Sequence, residues 1–157
     1  MSEEMSRQAL QEELASAKAR LQELEARARQ YDVTLQTLAA GVVVHGPDGK
    51  IRSANQQART TLGLDQASPA PQWELRDVNG TLLTREEYPA SVALRSKQAL
   101  TNCEIEVYRR DLGRSQWFNT NAAPVLNAQG DVEEVVVTSI DISQTRAAVD
   151  ALKISEH

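Results

Sequence analysis

A β-hairpin is predicted between residues 41 and 53, where the chain reads Gly41-Val42-Val43-Val44-His45-Gly46-Pro47-Asp48-Gly49-Lys50-Ile51-Arg52-Ser53. The three valines favour a strand, and Pro47-Asp48-Gly49 is a tight-turn signal that separates it from a second strand. A strand that is apolar on both faces has to be covered on both faces. Because Val135-Val136-Val137 has the same character, we expect both valine strands in the interior of one sheet.

Short helices are predicted after the hairpin. Asn55 is a candidate N-cap for a helix that ends at Gly63. The pattern at residues 84–87 resembles a capping box. It leaves two alternatives open, a single turn before Pro89 or a helix that begins at Pro89 and runs to about residue 98.

Loops and further strands complete this part of the chain. Residues 64–83 are rich in loop and turn signals, including Asn79-Gly80. Alternation of apolar and polar residues predicts a strand at about 102–108 with its odd-numbered side chains towards the core. Turn signals then delimit two more strands, at 116–126 and 132–140, and the chain becomes helical again after Asp141.

A long helix is predicted in the first forty residues, which contain neither glycine nor proline. Its apolar residues recur at alternating steps of four and three, which is the heptad repeat of a coiled coil. We expect these residues to form the seam of a parallel homodimer. The seam consists of Leu10, Leu14, Ala17, Leu21, Leu24, Ala28, Tyr31, Leu35 and Leu38.

The charges beside this seam are complementary between two parallel copies. Each g position meets an e position five residues further along the second copy, which gives Glu13 with Lys18, Arg20 with Glu25, and Arg27 with Asp32. Two alternatives remain open. The helix could fold back onto its own domain, or the charges could form a solvated face.

Composition excludes several classes of function. A formal net charge of −5 argues against a nucleic-acid or anionic-membrane surface. No apolar run approaches the length of about 18 residues that a membrane span requires, and one cysteine with two histidines leaves little for a metal site. No catalytic motif is found. We therefore expect a cytoplasmic, non-enzymatic protein without nucleic-acid, membrane or metal partners.

Residues 33–143 resemble a PAS domain. The resemblance depends on the order and spacing of short motifs, none of which is specific alone. These are Gly41 to His45, Pro47-Asp48-Gly49, Ser53 to Ala58 leading to Leu62-Gly63-Leu64, Asn79-Gly80 before Glu87-Tyr88-Pro89, Trp117 to Val125, the turn ending at Gly130, and Thr138 to Ser143.

The resemblance implies an α+β fold with a five-stranded antiparallel sheet and small helices over one face. With the long N-terminal helix and a short C-terminal exit helix, the expected organisation is a coiled coil at 1–40, a PAS domain at 41–143 and an exit helix at 144–157. It also implies a sensory or relay function, with a possible small-molecule ligand and an output domain, such as a kinase or cyclase, beyond this chain. Alternatives are a ligand-free dimerisation module and a chromoprotein that holds flavin or haem non-covalently.

Candidate ligand-pocket residues are Trp73, Tyr88, Cys103, Trp117, Asn119, Asn121, Thr138 and Ser139. The sequence does not decide which face of the strand at 116–126 lines the pocket. Either Trp117, Asn119 and Asn121 line the pocket, or Phe118, Thr120 and Ala122 point inward instead. Trp73 and Tyr88 could equally be ordinary core residues.

No cofactor is predicted. Light-sensing relatives place a cysteine on a helix, in the motif Asn-Cys-Arg-Phe-Leu-Gln, whereas Cys103 lies on a predicted strand without that motif. Haem-binding relatives generally use a histidine on the helices that face the pocket, and residues 54–100 contain none. Cys103 is therefore interpreted as a core thiol and His45 as a structural or exposed residue.

The junction Asp141-Ile142-Ser143 resembles the Asp-Ile-Thr junction that ends the last strand of PAS domains. Asp141 or Ser143 is expected to cap the exit helix and connect it to the sheet. The resemblance implies that a change in the sheet is passed to the exit helix here, although a cap without any signalling role is the alternative.

Overall fold

The computed structural model describes residues 2–64 and 73–155. The chain divides into two compact units, residues 1–37 and residues 38–157. The first unit contains helix α1, Glu3–Thr37, which has no buried residue. This agrees with the long helix predicted from the absence of glycine and proline.

The second unit is built on an antiparallel sheet. In the described residues its six strands are β1 (Gly41–His45), β2 (Ile51–Ala54), β3 (Trp73–Arg76), β4 (Leu100–Arg109), β5 (Arg114–Leu126) and β6 (Val132–Asp141). The strand order is β2-β1-β6-β5-β4-β3, so the two valine strands, β1 and β6, lie in the interior of the sheet, as predicted.

The sheet has one strand more than the five predicted. Residues 73–76 were predicted to be loop, but they form β3, which pairs with β4 at the edge of the sheet. A four-residue strand beside a loop carries too little periodicity for recognition, and its hydrogen-bond partner lies elsewhere in the sequence. Residues 65–72 of the predicted loop at 64–83 lie outside the described residues.

The described part of the second unit contains three α-helices, which are α2 (Gln56–Leu62), α3 (Pro89–Ser96) and α4 (Ser143–Ser155). Both alternatives for the Thr84 region occur together, because a 3-10 turn at Arg85–Glu87 with a Thr84–Glu87 capping box comes directly before α3. The left-handed Gly63 ends α2, as its position after the last apolar residue predicted.

The sheet has an inner face, which carries the core, and an opposite outer face. Ala93 of α3 packs on Ala122 and Val135, and a second core cluster contains Ile105, Val107 and Phe118. Strand pairing places the following residues on the inner face: Gly41, Val43, Cys103, Ile105, Val107, Phe118, Thr120, Ala122, Val135, Val137 and Ser139. Their sequence neighbours lie on the outer face.

Asn55 joins β1 to α2 through three hydrogen bonds of one side chain. Its Oδ1 atom accepts from the backbone N–H of Val42 at 2.9 Å and of Ala58 at 3.0 Å. Its Nδ2 atom donates to the carbonyl oxygen of Ala40 at 2.9 Å. The side chain therefore caps α2 and also satisfies polar backbone groups at the start of β1.

Replacing Asn55 tests this junction. Asn55→Ala removes all three bonds and is expected to lower the free energy of unfolding by about 2–3 kcal/mol. Asn55→Ser keeps a side-chain oxygen that can cap α2 and puts no second acceptor against the Ala40 carbonyl, so it should cost distinctly less. Urea denaturation followed by circular dichroism measures both. Equal stability of Asn55→Ala and the parent protein would contradict the assigned role.

Candidate functional site

A cavity lies between the inner face of the sheet and helices α2 and α3. This inner cavity has a volume of about 120 Å³. It is lined by Val43, His45, Ile51, Leu62, Trp73, Leu75, Tyr88, Pro89, Ala90, Ile105, Val107, Thr120, Val137 and Ser139. Most of these side chains are apolar, which is typical of a small-molecule site.

Two further spaces adjoin the inner cavity. A mouth of about 240 Å³ shares His45, Ile51, Trp73, Tyr88 and Ala90 with it and adds Arg85, among others. A recess of about 50 Å³ extends towards Gly41, Ala58 and Phe118.

The polar groups of the inner cavity are few. The hydroxyls of Thr120 and Ser139, which are paired across β5 and β6, lie 3.2 Å apart. The Nδ1 atom of His45 lies 3.2 Å from the carbonyl oxygen of Gly49. A carbonyl can only accept, so Nδ1 is the donor in this contact.

Two aromatic rings form one wall of the cavity. The ring centroids of Trp73 and Tyr88 lie 5.7 Å apart at an interplanar angle of 42°, within the range of favourable aromatic pairs. Burial raises the pKa of Tyr88 above its ordinary value of 10.0, against the opposing effect of Arg85. The Tyr88 hydroxyl therefore keeps its proton at neutral pH.

A buried arginine holds the α2 wall of the cavity. The side chain of Arg109, at the end of β4, is only 4% exposed. Its Nη1 atom donates to the carbonyl oxygens of Thr60 and Thr61 at 3.2 and 2.8 Å, and its Nε atom donates to Asp111 at 2.8 Å. A Cβ atom at Gly63 would lie 2.7 Å from the guanidinium, so glycine is required there for close approach as well as for its φ of +67°.

The predicted ligand-pocket residues are divided between the two faces. Trp73, Tyr88 and Ser139 line the inner cavity. Cys103 faces the same side and packs beside the Ile105 cluster without lining the cavity. Burial raises the pKa of its thiol above 9.0, so little reactive thiolate forms at neutral pH.

The other four predicted residues lie on the outer face. Phe118, Thr120 and Ala122 are the buried residues of β5, which places Trp117, Asn119 and Asn121 opposite, with Thr138 beside Asn121. They do not line the cavity, because α3 packs on the opposite face of β5, which carries the small side chain of Ala122. Their amides instead contact β4: Asn121 Oδ1 accepts from the N–H of Asn102 at 3.0 Å.

The predicted junction residues bond the start of α4 to β5. The N–H of Ile142 donates to the carbonyl oxygen of Trp117 at 2.8 Å, and the N–H of Trp117 donates to Ser143 Oγ at 2.9 Å. Asp141 accepts from the N–H of Ser143 at 2.8 Å and from Gln116 Nε2 at 3.0 Å. Asp141 and Ser143 thus bond the start of α4 to β5.

An arginine of α4 adds a contact that sequence reasoning missed. The guanidinium carbon of Arg146 lies 3.7 Å from the centroid of the Trp117 ring, a cation–π arrangement. Its Nη1 atom donates to Glu104 of β4 at 2.9 Å. We call Arg146, Trp117 and Glu104 the Arg146 clamp. The sequence indicates this contact only through the position of Arg146 in the first turn of a helix that directly follows a strand.

Metal and membrane features are not found in the described part of the chain. Within residues 2–64 and 73–155, no group of three or more His, Cys, Asp or Glu side chains could hold a metal ion. No helix among those residues is long and apolar enough to span a membrane.

Comparison with known sequences assigns the family. The sequence profile described as "PAS fold" matches residues 35–147, which is most of the chain. The chain belongs to the PAS-fold family. The resemblance predicted from its motifs is thereby confirmed, and this PAS domain is a member of a family of sensory modules. Comparison with curated proteins returned no match.

Solved structures show the same fold at low identity. A sensory box histidine kinase/response regulator from Burkholderia thailandensis is 16% identical with a TM-score of 0.56, and the alignment covers 81% of this chain and 95% of that one. The PAS domain of an HTR-like protein from Haloarcula marismortui is 17% identical with a TM-score of 0.52, at 80% and 99% coverage. A PAS domain from Colwellia psychrerythraea is 19% identical with a TM-score of 0.50, at 74% and 98% coverage.

Proposed function

We propose that this PAS domain is the sensory and relay part of a bacterial-type, cytoplasmic signal-transduction protein. A ligand or partner changes the inner cavity, and the sheet passes the change to α4 and to an output module such as a kinase or cyclase. The domain itself is not an enzyme, and it works as a parallel homodimer through α1.

The observation that carries this proposal is the position of Phe118 and Trp117. Phe118 lines the recess of the cavity on the inner face. Its sequence neighbour Trp117 lies on the outer face, where Arg146 of α4 covers its ring. Adjacent strand residues share one rigid peptide unit, so a displacement of Phe118 also displaces Trp117.

The contacts of Trp117 extend the displacement to α4. Its backbone bonds with Ile142 and Ser143 hold the first turn of the helix, and its ring holds Arg146. Glu104 of β4 bonds the same guanidinium, so the helix start is sensitive to the relative position of two strands. A change in β5 would therefore tilt or rotate α4.

The exposed side of α1 supports the dimer. The seam leucines Leu10, Leu14, Leu21 and Leu24 are each more than half exposed within one chain. An apolar stripe of this length on a 35-residue helix is favourable only when another surface covers it. Arg27 bonds Glu23 of its own helix at 2.9 Å, so its predicted pair with Asp32 of the second copy would have to compete with this exposed contact.

Replacing Arg146 tests the connection between the sheet and α4. Arg146→Gln removes the cation–π contact and the ion pair, together worth about 1 kcal/mol. The amides of residues 146–152 should exchange with deuterium about fivefold faster, while the β5 amides remain unchanged. Lys153→Gln, which removes an equal charge from an exposed position of the same helix, is the control. Unchanged exchange in α4 of Arg146→Gln would contradict the clamp.

Replacing seam residues tests the dimer. Leu21→Asn together with Leu24→Asn puts two polar residues into the seam, and the mass measured by light scattering should fall from dimer to monomer. Gln22→Asn with Ala26→Asn introduces as many asparagines on the side of the helix away from the seam and should leave the dimer intact. A parent protein that is already a monomer at micromolar concentration, or a dimer in both variants, would refute the seam.

A further inference from the structure

The size of the inner cavity limits its ligand to about one ring. Its volume is about 120 Å³, and an apolar cavity of about 150 Å³ accepts one benzene molecule. The mouth adds about 240 Å³ on the side of Arg85 and Tyr88. A substituent can therefore extend outwards, but the inner cavity holds one small ring.

The lining of the inner cavity favours an uncharged molecule. Among its lining residues in the described part of the chain there is no Lys, Arg, Asp or Glu. Arg85 belongs only to the mouth. A charged group would lose its hydration in the inner cavity without gaining an ionic partner, which is strongly unfavourable.

The hydroxyl pair favours a ligand that can both donate and accept one hydrogen bond. One of the two hydroxyls donates to the other, so a second hydrogen and several lone pairs stay available. Within residues 2–64 and 73–155, neither side-chain oxygen has another partner. A ligand hydroxyl could accept from the pair or donate to it, and Val137 and Ile105 would contact the apolar part.

The wall formed by Trp73 and Tyr88 favours an aromatic ring over an aliphatic one. The two rings are tilted against each other at 5.7 Å, and both line the inner cavity and the mouth. A third ring of similar size can take an edge-to-face position against them.

From these observations we propose that the inner cavity binds a small, uncharged aromatic alcohol of about the size of phenol. This inference rests on the proposed function, since it names the ligand class of the same sensory site. The hydroxyl of the ligand bonds the Thr120 and Ser139 pair, and its ring lies beside Trp73 and Tyr88.

The first test is a titration of the full chain with phenol, toluene and benzoate, followed through backbone amide chemical shifts. Phenol should shift inner-face residues such as Val43, Thr120 and Ser139 in a saturable way. Benzoate should bind at least tenfold more weakly, because its charge loses hydration in the cavity. Shifts confined to other surfaces, or benzoate binding as tightly as phenol, would overturn the proposal.

The second test separates the hydroxyl pair from general apolar binding. In the double variant Thr120→Val/Ser139→Ala, the preference for phenol relative to toluene should fall about fivefold, since one hydrogen bond is lost. Thr138→Val/Ser115→Ala removes the same two kinds of hydroxyl from the outer face and should keep the parent preference. An unchanged preference in both variants would overturn the assigned role of the pair.

The outcomes distinguish this inference from the relay proposal. If phenol changes the chemical shifts of inner-face residues but not those of α4, the result would support the ligand class and contradict the relay. If the α4 amides exchange faster in Arg146→Gln, but phenol changes no chemical shift on the inner face, the results would support the relay and overturn the ligand class. The titration of the parent protein decides the ligand class even where the double variant does not fold.

Discussion

The alternation of side chains along β5 determines both which residues face the cavity and which residues hold α4. Because successive residues of a strand point to opposite faces, Phe118 reaches the recess beside the inner cavity and Trp117 reaches α4. A register shift of one residue would exchange them. The core would then receive the amides of Asn119 and Asn121, and α4 would lose both its ring contact and the backbone bonds at its first turn.

Polar groups with several partners hold the cavity walls in place around that strand. Asn55 bonds β1 and α2 at one end of the helix, and Arg109 bonds the carbonyls at the other end. These groups are buried or half-buried, so leaving any one of them unpaired would be costly. The cavity is therefore bordered by a rigid α2, while the Arg146 clamp at α4 is partly exposed and easier to break.

Patterns that are local in sequence predicted most of the fold. The uninterrupted α1, the Asn55 cap, the left-handed Gly63 and the interior valine strands all follow from residues close to one another. Local patterns did not predict which face of β5 is buried, because alternating side chains allow either the odd-numbered or the even-numbered residues to point inward. The packing of α3 on Ala122 decides between the two. The Arg146–Glu104 pair joins residues 42 positions apart, and β3 exists only through its pairing with β4.

Hydrogen exchange of α4, measured in a variant whose inner cavity is filled by a larger side chain, tests whether the cavity and the helix are connected. Val137→Phe adds bulk on the inner face, where Val137 lines the cavity, and Val136→Phe adds the same bulk on the outer face of the same strand. We expect Val137→Phe to change the exchange at residues 143–152 and Val136→Phe to leave it unchanged, with circular dichroism showing that both proteins are folded. Identical α4 exchange in Val137→Phe and the parent protein would contradict a connection from cavity to helix.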